Sequence, residues 1–330
     1  MKKQELPKIK EKFRTSIGGQ ALIEGILMRG PEKDAIVVRK DGQLHVEVKD
    51  RVTRSKKSIA SWPFIRGVVN FFDAQICGIK AITQSADLSG EMENEEPGKF
   101  EVWLEKKFGK KGAEKFLVGF AVLLGLGISV ALFFLLPSMV SVLITDNTLI
   151  QNMIEGVIRL ILFFIYLLAV SRMKDMRRVF AYHGAEHKTI RCYEACMPLT
   201  VENVRMQTRL HPRCGTSFLL VVMIISILVF SVASSLLLTC FPALKDISEP
   251  LVFKAIMVAY KLLLLPVVVA ISYEFNRWAG RHDNFLTKIL TAPGMWFQLL
   301  TTVEPDDDMI EVGIASLEAV IPSEERSDLW

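Results

Sequence analysis

The sequence predicts a mainly α-helical, polytopic membrane protein with about four transmembrane helices, a small α+β cytoplasmic N-terminal part and a cytoplasmic C-terminal segment. Three observations predict it. Apolar residues make up 51% of the 330-residue chain and the mean hydropathy is +0.32, which excludes a disordered or fibrous chain. Residues 116–136 (FLVGFAVLLGLGISVALFFLL) and 217–240 carry no charge, and each is long enough to cross roughly 30 Å of hydrocarbon. Residues 157–170 are apolar except for Arg159, which makes 154–171 a plausible shorter span, and 251–273 is apolar apart from Lys254, Lys261 and Pro266. A buried helix of a soluble enzyme can imitate one such run, but not four.

Orientation follows from the connections. The 172–215 loop holds nine basic and four acidic side chains, and Lys106, Lys107, Lys110, Lys111 and Lys115 precede the first span. The 137–153 connection holds only Asp146. The positive-inside rule therefore puts both termini and the 172–215 loop in the cytoplasm; the acidic tail counts little in it. The expected parts are 1–115, the membrane region 116–273 with its His-rich loop, and the acidic segment 274–330. Five irregularly spaced cysteines argue against a disulfide scaffold, and the charged start MKKQELPKIKEKFR lacks the apolar core of a secretory leader. Cys77, Cys192, Cys196 and Cys214 then face a reducing compartment.

In the N-terminal part, GGQALIEGILMRGP (18–31) places glycines around an apolar stretch, a sign of backbone turning tightly in a packed site. It lacks the glycine spacing of a phosphate-binding loop. Residues 35–39 and 43–48 are β-branched stretches around Asp41-Gly42, which predicts a hairpin. The cluster Arg51, Arg54, Lys56 and Lys57 suits anionic lipid headgroups; without interleaved aromatics, no specific nucleic acid is expected. Over 58–84 a helix is expected, with one polar stripe (Arg66, Asn70, Asp73, Lys80, Gln84) and a broad apolar face. That face either packs under the hairpin or lies in the membrane interface. An acidic linker, 87–99, and a charged helix, 101–111, lead to the first span.

The chemistry concentrates after the second span, in YHGAEHKTIRCYEA. His183 and His187, four apart, share one helix face and suit a divalent metal, zinc first. Glu186 between them gives the H-x-x-E-H order of inverted zincins, in which the Glu is the general base. Glu194, seven residues after His187, and His211 in LHPRCGTSF are the further metal ligands expected, and Cys214 offers another. The basic Lys188 and Arg191 repel a cation but suit an anionic substrate or headgroup. Glu274 is a reserve ligand, His282 more a surface residue, and His45 has no role. Lys261 is a charge inside the fourth span whose partner the sequence does not name. The plainer alternative is that these histidines only pack helices and Pro212 and Gly215 only shape a turn.

Four motifs in one order, GGQALIEGILMRGP, YHGAEHK, HPRCGTSF and TTVEPDDDMIEVGIASLEAV, resemble the bacterial YqhQ-type family over most of 16–320. The resemblance implies a bacterial cytoplasmic membrane protein and a predicted metal-dependent enzyme. The first expectation is thus a metal-dependent hydrolase at the cytoplasmic membrane surface. The second is a non-enzymatic scaffold or assembly factor, with a structural metal or membrane-protein partner and Glu304–Glu311 as a docking strip. A transporter, suggested by Lys261 and Pro266, finds little support in four spans without an internal repeat.

Overall fold

The computed structural model describes residues 12–51, 58–90, 98–247, 249–282, 284–324 and 327–329. Arg54, Lys56, Lys57 and the acidic stretch 91–97 lie outside the described residues. The chain forms two compact units, one of Met1–Met92, Leu167–Val222 and Val269–Trp330, the other of Glu93–Tyr166 and Met223–Val268.

The first unit is built on an antiparallel meander, β1 (Gly18–Leu22), β2 (Gly25–Arg29), β3 (Lys33–Lys40) and β4 (Gln43–Asp50), paired in that order. The expected hairpin is β3–β4, with Lys40 opposite Gln43 and both Asp41 (φ 52°) and Gly42 (φ 78°) left-handed, as a two-residue hairpin turn demands. The glycine-rich stretch before it is not only a turn but a second hairpin, β1–β2, turning at Ile23–Glu24. Its period is hidden in the sequence because β2 is apolar on both faces. Ile26 and Met28, with Ala35 and Val37 of β3, pack on one side; Leu27, with Leu22, Ile36 and Val38, packs on the other. A strand buried on both sides reads as a continuous apolar run.

Each sheet face has its helices. The 58–84 helix is α1 (Ile65–Ser89), after a 3₁₀ turn at Ile59–Ser61. Its Ala81, Cys77 and Leu88 cover the Leu27 face. Its N-terminal end meets the helix Leu265–Arg281: Arg66 grips Glu274 with two nitrogens, and Asn70 Nδ2 donates to the Tyr273 hydroxyl (2.9 Å). On the Ile26 face lie α2 (Lys174–Glu194) and, after α3 (Phe285–Thr301) in the chain, α4 (Asp307–Glu318). Helices α2 and α4 are joined through Ala181, Tyr182, Ala185, Val312 and Leu317. Helix α3 follows an Asn284–Thr287 capping box. Helix α4 begins where Asp306 caps the Met309 amide (2.9 Å), with Asp307 and Asp308 favourably placed in the positive first turn.

Four helices are long and apolar enough to cross a membrane: Lys115–Val142, Thr148–Val170, Gly215–Cys240 and Val252–Arg281. The first passes through a π-helical turn, Ala131–Leu135. The second begins six residues before the expected position, so Asn152 joins Glu155 and Arg159 within the helix. The reason lies in pairing. Glu155 forms an ion pair with Lys261, the partner the sequence left unnamed, and both are buried. Arg159 Nε donates to the Phe133 carbonyl in the π turn (2.8 Å), and its guanidinium lies 4.8 Å from the Phe134 ring centroid. Glu155, Lys261 and Arg159 Nε thus find partners inside the unit, as apolar surroundings require.

Candidate metal centre

Helix α2 turns His183, Glu186 and His187 to one side, and its burial is nearly complete from Ala181 to Ile190. Small residues allow this: a Cβ on Gly184 would collide with the Val303 carbonyl, so the helix can approach the 302–306 segment closely. Val303 returns a backbone bond to the Phe180 carbonyl (2.8 Å).

Both imidazoles are oriented by main-chain carbonyls. His183 Nδ1 donates to Thr301 O (2.8 Å) and His187 Nδ1 donates to Arg209 O (2.6 Å). A carbonyl only accepts, so each Nδ1 carries its proton and each Nε2 presents a lone pair when the ring is neutral. His183 Nε2 lies 3.2 Å from Cys214 Sγ. His187 Nε2 is buried without a hydrogen-bond partner among the described residues. One ligand atom from each of His183, His187 and Cys214 falls within 4.8 Å of the others.

These residues fit a metal ion. Two imidazole nitrogens and a thiolate are a zinc-type donor set, and carbonyls on the far ring nitrogens are the usual outer support of metal-bound histidines. The orphaned His187 Nε2 is an atom such an ion would satisfy. The local electrostatics already favour a thiolate. Burial opposes it, yet His187 and His183 hold the Cys214 thiol well below its ordinary value. Reciprocally, burial works against charge on His183, while Cys214 and Glu186 push it up to about 9.

Glu186 stands beside the donors rather than among them. Its Oε1 accepts the Gly19 amide (3.0 Å), and its Oε2 is buried without a partner among the described residues. Burial raises its carboxyl above the ordinary range, against the pull of His183 and His187. Gly19 is needed for this approach: a Cβ there would sit 3.0 Å from Glu186 Cδ and 2.7 Å from the Leu27 carbonyl. Glu186, His187 and Cys214 all line a cavity of about 260 Å³.

The other expected residues are placed differently. Glu194 is completely buried; it accepts the Thr15 amide (2.9 Å) and an ion pair from Arg213. His211 Nε2 points at Glu194 Oε2 (3.3 Å), and the His211 main chain is clamped at N and O by the Gln298 amide (2.8 and 2.7 Å). These two form a neighbouring polar pair, and the residue brought to the two histidines is Cys214. Lys188 lies on the opposite side of α2, where its Nζ donates to Arg205 O (3.0 Å) and pairs with Glu304. Arg191 Nε donates to Leu210 O (2.6 Å), and the side chain lines a different cavity. Glu274 is engaged with Arg66, His282 Nδ1 donates to Trp278 O (2.8 Å), and His45 is exposed on β4. The acidic strip is likewise in use, since Asp307 pairs with Arg205 and Glu311 with Arg39.

Fold and site together define a mainly helical, polytopic membrane protein whose α+β unit carries a buried His-His-Cys cluster. The chain belongs to the family described as "Protein of unknown function (DUF1385)", which matches residues 62–323. It is 33% identical over 327 residues to the "Uncharacterized protein YqhQ" of Bacillus subtilis (strain 168), covering 97% of this chain and 96% of that one. The likeness seen in four motifs thus extends along almost the whole sequence. No solved structure matches.

Proposed function

We propose that this protein is a metal-dependent hydrolase of the bacterial cytoplasmic membrane, with zinc the first candidate metal. His183, His187 and Cys214 hold the ion, and Glu186 is the general base. The observation that carries the reading is the pair of inward-facing imidazole Nε2 atoms beside a buried thiol, with Glu186 Oε2 free to accept a proton next to a cavity. When bound, the ion supplies Lewis acidity to a carbonyl or phosphoryl oxygen. The chain does the rest. The Gly19 amide fixes one carboxylate oxygen of Glu186, its burial makes it a stronger base, and its other oxygen takes the proton of a water in the cavity.

Metal analysis with complementation of a deletion strain tests this. Replacing His183 and His187 together by Ala, or Cys214 by Ser, empties the purified protein of metal. Glu186→Gln keeps the metal but loses roughly 10²- to 10⁴-fold in rate. Stoichiometric metal in the double His variant ends the metal-site reading. The alternative is a scaffold with a structural metal, favoured by the deep burial of the donors; full complementation by Glu186→Gln with metal retained selects it.

The arginine-rich 172–215 loop supports a cytoplasmic site, and membrane lipid is the partner we assign to α1. Phe72, Ile76, Ile79 and Ile82 are exposed on it, while its other end touches a membrane helix at Ala270–Glu274. In full-length protein in nanodiscs, an environment-sensitive fluorophore on a cysteine at 72 or 76 is blue-shifted and quenched by lipid-borne quenchers, and one at 80 is not. Equal exposure to water at all three positions removes the lipid contact.

A further inference from the structure

The cavity beside the donors is lined by one carboxylate and three guanidinium groups. The carboxylate is Glu186; the guanidiniums are those of Arg29, Arg51 and Arg213. They come from three separate places in the chain, the end of β2, the residue after β4 and the approach to the third span, and the fold brings them to one wall. The turn between β2 and β3 arranges two of them. Gly30 closes that turn by donating to Lys33 O (2.8 Å), and its own carbonyl accepts Arg51 Nη1 (2.8 Å). Arg29, its neighbour, is positioned by a 3.3 Å contact from Nε to Asp34 Oδ1. Arg213 is aimed by Glu194, which the Thr15 amide fixes in turn.

Such an arrangement calls for an anion. Among the described residues, no carboxylate lies within ion-pair distance of Arg51. Partial burial and the nearby Arg29 both lower its hold on its proton, so Arg51 is the less compensated of the two, Arg29 having Asp34 beside it. The hydroxyl-bearing Thr15 and Ser16 and the side-chain-free Gly18 line the same cavity. At about 260 Å³ it admits a small molecule or a headgroup, not a polymer. Planar guanidiniums, contributed to one cavity by three parts of the chain, match the oxygens of a phosphoryl group.

We propose that this cavity is a phosphoryl-binding site, in which Arg29, Arg51 and Arg213 hold the phosphoryl group of the substrate next to Glu186 and the His-His-Cys cluster. The site gives the hydrolase reading its substrate class and rests on that reading for its role. It replaces Lys188 and Arg191 as the anion clamp, because neither of those residues lines the cavity. The phosphoryl group belongs either to a small soluble ester or to a lipid headgroup.

Calorimetry on the purified full-length protein tests the site, with inorganic phosphate and dihexanoyl phosphatidic acid as probes. Elemental analysis of the same samples gives the metal. Wild type binds at least one probe saturably; binding of both assigns a soluble ester, and of the phosphatidic acid alone a headgroup. Arg29→Gln and Arg51→Gln each weaken binding about tenfold or more with metal content unchanged. Arg51→Lys, which keeps the charge, recovers part of the affinity. No saturable binding in wild type, or undiminished affinity in the Arg29→Gln/Arg51→Gln double variant, overturns the proposal even when metal is present. Arginine-dependent phosphate binding in protein that never holds metal leaves the phosphoryl site standing and removes the hydrolase reading.

Discussion

Gly19 and Glu186 show what the smallest scale contributes. The amide of one fixes the carboxylate of the other, and only a residue without a side chain leaves the carboxylate room. Gly18, next to it, has room for a side chain: a Cβ there would meet nothing within 4 Å. Gly19→Ala therefore destabilises the protein by about 1–3 kcal/mol and displaces Glu186, while Gly18→Ala is close to neutral. Thermal melting checks the difference in stability, and equal melting of the two variants removes the assigned role of Gly19. The histidines and Glu186 were legible in the sequence because one helix carries them, and helical spacing alone sets their common face. Cys214 as the third donor was one option among several. Nothing in the local pattern ranks it above Glu194 or His211; that choice depends on Arg213 and Thr15 claiming Glu194.

At the scale of elements, the second and fourth spans are joined by Glu155 and Lys261, both buried. Removing one partner leaves a charge alone in an apolar setting, whereas removing both leaves none. Lys261→Met alone is expected to cost about 3–5 kcal/mol, and Glu155→Leu/Lys261→Met together much less. Denaturation in mixed micelles measures the difference; a double variant less stable than either single one contradicts the pairing. The sheet carries a related lesson. The β3–β4 hairpin announced itself through Asp41-Gly42, but β1 and β2 did not. Strand β2 is covered by α1 on one side and by α2 and α4 on the other, so its alternation vanished from the sequence. Helix α1 gave a composite result: one edge packs under the sheet, as Ala81 and Cys77 show, and another remains apolar and exposed.

For the molecule as a whole, the prediction concerns sidedness. Cys192 is buried, but Cys196 and Cys240 are both exposed and serve as native reporters. With the site-bearing unit in the cytoplasm, an impermeant maleimide added outside intact cells labels a protein whose sole cysteine is Cys240. It spares one whose sole cysteine is Cys196 until the cells are opened. Labelling of Cys196 but not Cys240 inverts the topology and moves the proposed site to the other face. By itself, the sequence determined the helical membrane class, four spans, one hairpin and the His-Glu-His face. All of these follow from periodicity or length within a single continuous segment. Only the tertiary structure decided which side chain joins the histidines, which arginines line the cavity and which acid answers Lys261. Those pairs are separated by dozens to more than a hundred residues, and their meeting depends on how the sheet and helices pack, which no local pattern encodes.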